Sequence, residues 1–223
     1  MTPRLVHRPS PRLEALEARI NLSPPTVVGV QIDNGTVQRS MIKSLTITFS
    51  EAVTFSGSPS NAFQLHRKSA SFEQPNILGV VNLTAVETGS VVTITFNNSG
   101  PSPIFGVGGA GNLSLPNGRY TLTIDHTQVT GVDGNMASDF VLASAPAPAA
   151  PTNIFRLFGD VTGDGAVTIS DYLGTGPNGN PPIIGLLQSF GGVNPYFDYN
   201  GNGIVDAFDV HQFFKSAASG PVP

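Results

Sequence analysis

The sequence predicts a mainly β protein, an antiparallel β-sandwich followed by a small α-helical domain. Three observations carry this. About seven short segments between residues 24 and 143 alternate apolar and polar side chains. An Ala/Pro-rich stretch, 144–152, then breaks the pattern. Beyond it, two twelve-residue loops rich in Asp, Asn and Gly each lead into a helix-like segment.

Residues 1–23 are basic, with a charge of +2 from four Arg and two Glu. Ser10-Pro11 reads as an N-cap with Pro at the first helical position. A short helix over 12–20 follows, with Leu13, Leu16 and Ile20 on one face. The segment lacks an apolar run of about 7–15 residues, so it is not a standard secretory signal. The string Arg12-Leu13-Glu14-Ala15-Leu16-Glu17-Ala18-Arg19-Ile20-Asn21-Leu22-Ser23 resembles the bacterial LEPR-XLL N-terminal segment. Ala stands where that segment usually has Pro, and Ile-Asn-Leu replaces its final residues. The resemblance implies sorting or export, and so an extracellular or cell-surface location.

The middle region, 24–143, reads as strands separated by turns. Leu45, Ile47 and Phe49 fall on one face with threonines on the other. Val92, Ile94 and Phe96 repeat this, as does the run Tyr120-Thr121-Leu122-Thr123-Ile124. Segments 26–32, 63–66, 78–86 and 140–143 are further strand candidates. Asn34-Gly35, Gly57-Ser58-Pro59, Pro116-Asn117-Gly118 and Asp133-Gly134-Asn135 are turn signals between them. Short strands so punctuated favour an antiparallel sandwich. The opening Pro25-x-Val27-x-x-Val30, the run Ile47-Thr48-Phe49-Ser50-Glu51-Ala52-Val53 and Gly118-Arg119-Tyr120 resemble bacterial Ig-like domains of surface-layer and adhesin proteins. That likeness implies a spacer or adhesion role.

Residues 144–152 predict an extended, semi-rigid spacer of ~3.1 Å per residue. The C-terminal region, 153–217, with a tail at 218–223, carries the chemistry. Loop one runs from Asp160 to Asp171 and loop two from Asp198 to Asp209. Both place oxygen-bearing side chains at positions 1, 3, 5, 9 and 12, Gly at 4 and 6, and Val at 8. Calcium explains this spacing, because it takes about six to eight oxygens and alternate residues of a tight loop can supply them. The candidate ligands of loop one are Asp160, Thr162, Asp164, the Ala166 carbonyl, Thr168 through water, and Asp171. Those of loop two are Asp198, Asn200, Asn202, the Ile204 carbonyl, Asp206 and Asp209. Two calcium ions are expected. Gly165 and Gly203 hold the sharp sixth position. Val167 and Val205 are expected to pair as a β-bridge between the loops. Six of the fifteen acidic residues lie here, and their repulsion calls for a cation.

The paired loops resemble a type I dockerin, a calcium-dependent module that docks onto a cohesin domain. Asp ends each loop where ordinary EF-hands use Glu, a helix-like segment follows each loop, and only 154–159 precedes the first. The resemblance implies a cohesin-like partner met through positions 10 and 11. These are Ile169 and Ser170 in loop one, and Ala207 and Phe208 in loop two. Phe208 equally suits an exposed apolar contact or a core position. Thr162 departs from the usual Asn or Asp. Residues 174–182 break the first helix, whose apolar run resumes at 183–190.

Composition narrows the functional classes. There is no Cys, which removes disulfides and thiolate chemistry. No basic patch suggests nucleic acid, and no apolar run is long enough to span a bilayer. The acids of the middle region are scattered, and His66 and His126 have no ligand spacing, so a non-catalytic protein is expected. Trp is absent, which weighs against a sugar-binding face; Phe105 is the most exposed aromatic candidate. An alternative is an accessory of polysaccharide degradation, with a polysaccharide or cell-surface component as partner. A third reading keeps calcium as a stability clamp without a partner.

Overall fold

The computed structural model describes residues 23–69, 77–102, 106–108, 113–143, 153–174 and 184–220. The predicted N-terminal helix, Phe105, the Ala/Pro stretch and residues 175–183 lie outside these. The described chain is mainly β, with antiparallel sheets.

The first sheet has the order β1 (Val27–Ile32), β2 (Ser44–Phe49), β7 (Val91–Phe96) and β6 (Leu83–Thr88). The second has the order β11 (Phe140–Ala143), β8 (Gly118–Ile124), β4 (Phe63–Arg67) and β5 (Gly79–Val80), with β12 (Phe155–Arg156) also on β8. A small third sheet joins β3 (Thr54–Phe55), β9 (Val129–Gly131) and β10 (Gly134–Asn135). The period of two sends Leu45, Ile47, Val92 and Ile94 of the first sheet into the same core as Leu65, Tyr120, Leu122 and Ile124 of the second. The single strand expected over 78–86 divides. β5 pairs with β4 and β6 with β7, so the chain changes sheets at buried Val81 and Asn82.

The spacer expected over 144–152 meets a different arrangement on either side of it. Ala143 pairs with Thr121, and Phe155 pairs with Arg119 two residues along the same strand. They share one edge of β8. The Lys68 N–H donates to the Arg119 carbonyl on the β4 side, while the Tyr120 N–H donates to Ile154 on the other. Neighbouring residues of a strand point their backbone groups to opposite edges. Ala143 and Phe155, on either side of the Ala/Pro stretch, are therefore held about 7 Å apart.

The region after β12 contains α1 (Ile169–Leu173), α2 (Leu186–Ser189) and α3 (Ala207–Ser219). Its core is Phe158, Val161, Leu186, Phe197, Val205 and Phe213, joined by Met41 from the β1–β2 connection. Ile154 in turn enters the core of the sheets. Each part thus inserts a side chain into the other. The break in the first helix is as expected at Gly174, which ends α1 with φ 74°. A Cβ on Gly185 would lie 2.3 Å from the Gly174 nitrogen, so the chain returns to where it left. There the Gln188 amide donates to the Leu173 carbonyl at 2.8 Å and satisfies the end of α1.

Candidate metal centre

The two loops share their glycine conformations and most of their hydrogen bonds. Gly163 and Gly165 have φ of 72° and 86°, and Gly201 and Gly203 have 71° and 89°. These are left-handed values that only Gly adopts freely. The position-6 N–H donates to the position-1 carboxylate at 2.9 Å in both loops, Gly165 to Asp160 and Gly203 to Asp198. The position-2 N–H donates to the position-12 carboxylate, Val161 to Asp171 at 3.0 Å and Tyr199 to Asp209 at 2.8 Å. Position 9 caps the following helix. Thr168 with Asp171, and Asp206 with Asp209, each form a capping box at the start of α1 and α3. Loop positions 9 and 12 therefore have a second task, which is to start the helix.

The positions differ in burial. Asp160, Thr162, Asp171, Asp198 and Asp209 are buried, while Asp164, Thr168, Asn202 and Ile204 are exposed and Ala166, Asn200 and Asp206 lie between. The Thr162 hydroxyl donates to Asp160 Oδ1 at 3.3 Å. Asn202 Oδ1 accepts from the Ile204 N–H, and Asp164 Oδ1 accepts from the Ala166 N–H, both at 2.9 Å. Burial, with Asp171 and Asp164 nearby, pushes the Asp160 carboxyl up to about 7. Burial also raises Asp171 and Asp209. Arg39 is drawn to Asp160, although its own burial lowers it.

Two expectations fail here. Val205 does not pair with Val167. Its N–H donates to the Gly192 carbonyl, and its carbonyl accepts from the Gly191 N–H. The stretch between the repeats returns beside loop two and takes both groups. His126 is also not alone. Its Nδ1 lies 2.6 Å from Asp139 Oδ1, beside Asp125, on the sheet surface. Among the described residues, these are the three acidic or imidazole groups whose ligand atoms all lie within 4.8 Å of one another. Asp160, Asp164 and Asp171 do not form such a group.

The loops nonetheless fit a hard cation in the chemistry of their donors, which are carboxylate, amide, hydroxyl and carbonyl oxygens. The buried Asp160 carboxylate is the group whose charge a cation would offset. A cation would be held by Asp160, Thr162, Asp164, the Ala166 carbonyl, Thr168 and Asp171 in loop one, and by Asp198, Asn200, Asn202, the Ile204 carbonyl, Asp206 and Asp209 in loop two. The expected partner positions are on the surface: Ile169 is 67% exposed and Phe208 47%. Ala207 is exposed and Ser170 partly so. Phe208 is not a core residue; it rests one face near Tyr199, with ring centroids 6.0 Å apart.

Sequence reasoning missed the residues behind the loops. The Asn117 side chain accepts from the Phe158 N–H at 2.8 Å. The buried Arg156 guanidinium donates to the Ser40 carbonyl at 2.7 Å and stacks over Phe158 and Tyr199 at 5.3 and 5.7 Å. The only hint was polarity in an unassigned stretch, Gln38-Arg39-Ser40, ahead of a strand. No family model, no curated protein and no solved structure matches the chain.

Proposed function

We propose that this is a non-catalytic extracellular protein whose C-terminal region binds two calcium ions through paired loops of dockerin type. One observation carries the reading: both loops have the same hydrogen-bond pattern at positions 1, 2, 6, 9 and 12. Ordinary Asp-Gly turns have no reason to agree at so many points. Loaded loops would present Ile169, Ser170, Ala207 and Phe208 to a cohesin-like partner, and the Ig-like sheets would act as spacer or adhesion module.

The test is calorimetric titration of calcium into the chelator-treated full chain, followed by capture on an immobilised cohesin panel. Two ions bound, with capture that needs calcium, is the expected result. Calcium binding without capture would favour the clamp reading, which the shared cores of the two regions support. No heat of binding would remove calcium from the account.

A further inference from the structure

The β1–β2 connection runs through residues 33–43 and is buried from Gln38 to Ile42. A connection between two strands ordinarily lies in water. In this one the Arg39 N–H and carbonyl, the Ser40 carbonyl and the Ser40 hydroxyl are bonded to the C-terminal region. The Arg39 N–H donates to the Asp160 carbonyl at 2.7 Å, and the Arg39 carbonyl accepts from the Leu157 N–H at 3.0 Å. The Ser40 carbonyl accepts from Arg156. The Ser40 hydroxyl accepts from the Gly159 N–H at 2.7 Å and donates to the Tyr196 carbonyl at 2.5 Å.

Those last two partners are the informative ones. Gly159 immediately precedes loop one, and Tyr196 lies two residues before loop two. One hydroxyl, 0% exposed, therefore ties the shoulders of both loops together. Val37 completes the contact. Its carbonyl would be 2.0 Å from a Cβ on Gly163, the fourth position of loop one, so the connection is seated directly on that loop.

Resting on the calcium reading above, we propose that Ser40 is a positioning residue for both cation loops. The β1–β2 connection then acts as a third wall of the centre, contributed by the sheet region. The two loops would fill as a coupled pair in the intact chain, because a shift of either shoulder breaks a hydrogen bond of the same hydroxyl. Losing this buried bridge removes two hydrogen bonds, which corresponds to about a tenfold weaker affinity.

The experiment titrates calcium into the full chain as parent, Ser40→Ala and Val92→Ala, with each variant's fold checked by circular dichroism. The parent tests the calcium reading. Ser40→Ala tests the positioning role and is expected to weaken both ions in step, about tenfold. Val92→Ala removes buried packing from the sheet core, away from the loops, and should lower the melting temperature while leaving calcium affinity unchanged. Ser40→Cys puts a somewhat larger group there that is only a weak donor and acceptor, so it carries the same comparison should the Ala variant not fold. If calcium binds the parent and a folded Ser40 variant equally well, the positioning role is overturned and the calcium reading stands. Weakening of one ion alone, or equal weakening by Val92→Ala, also overturns it. A parent that binds no calcium overturns both.

Discussion

Asp160 gives the sharpest quantitative test, because its protonation and a bound cation compete for the same buried carboxylate. Without metal, its folded pKa of about 7 stands above the ordinary 3.8. Between those values the folded chain holds a proton that the unfolded chain has lost. Stability is therefore full below pH ~4 and falls as pH rises toward 7. At about 1.4 kcal/mol per unit, the loss is on the order of 4 kcal/mol by pH 8. Asp171 and Asp209 are raised as well and push the same way. The perturbation is Asp160→Asn, which keeps the size and removes the charge. The assay is urea unfolding of parent and variant in chelator at half-unit steps from pH 4.5 to 8. The parent should lose stability across that range and Asp160→Asn should lose much less, whatever its offset from the lost hydrogen bond. With saturating calcium the parent's trend should reverse, since the cation needs the ionised form. Parallel pH profiles for the two proteins in chelator would refute the burial argument.

Other outcomes are expected. Asn117→Ala leaves the buried Phe158 N–H without its acceptor, and should cost about 1–3 kcal/mol in urea unfolding. Arg156→Lys cannot hold the Ser40 carbonyl and the stacked rings together, so it should destabilise by on the order of 2 kcal/mol, with the melting temperature as readout. Asp209→Ala removes the box at the start of α3. It should cost about 1 kcal/mol and some helical ellipticity even in chelator, and more with calcium. Gly118→Ala places a Cβ 2.3 Å from the Ser69 carbonyl at φ 156°, and should unfold β8 first, seen as lost protection of the Tyr120–Ile124 amides in hydrogen exchange.

The strands were legible where a single force decides them. At β2, β7 and β8 the period of two matches a sheet with one buried face, so Leu45, Ile94 and Leu122 announce themselves. The split at Val81 and Asn82 was not legible, since both neighbours keep the alternation and only the partner strand changes. The loops were legible through their doubled spacing, which is local. Their setting was not. Ser40, Asn117 and Arg156 join segments more than forty residues apart in sequence, and no period or motif encodes such a meeting. Pro and Ala over 144–152 suggested separation because composition describes stiffness, whereas the pairing of Phe155 with Arg119 is set by an open edge of β8.

That edge has a consequence for how the chain could be taken apart. Ala143 and Phe155 are anchored near each other on one edge of β8, so strand pairing by itself fixes the distance between them. A single cut between them would leave two polypeptides still gripped by strand pairing and by the Met41 and Ile154 plugs. A guest sequence joined to Ala143 and Phe155 would start and finish on residues that the host already holds.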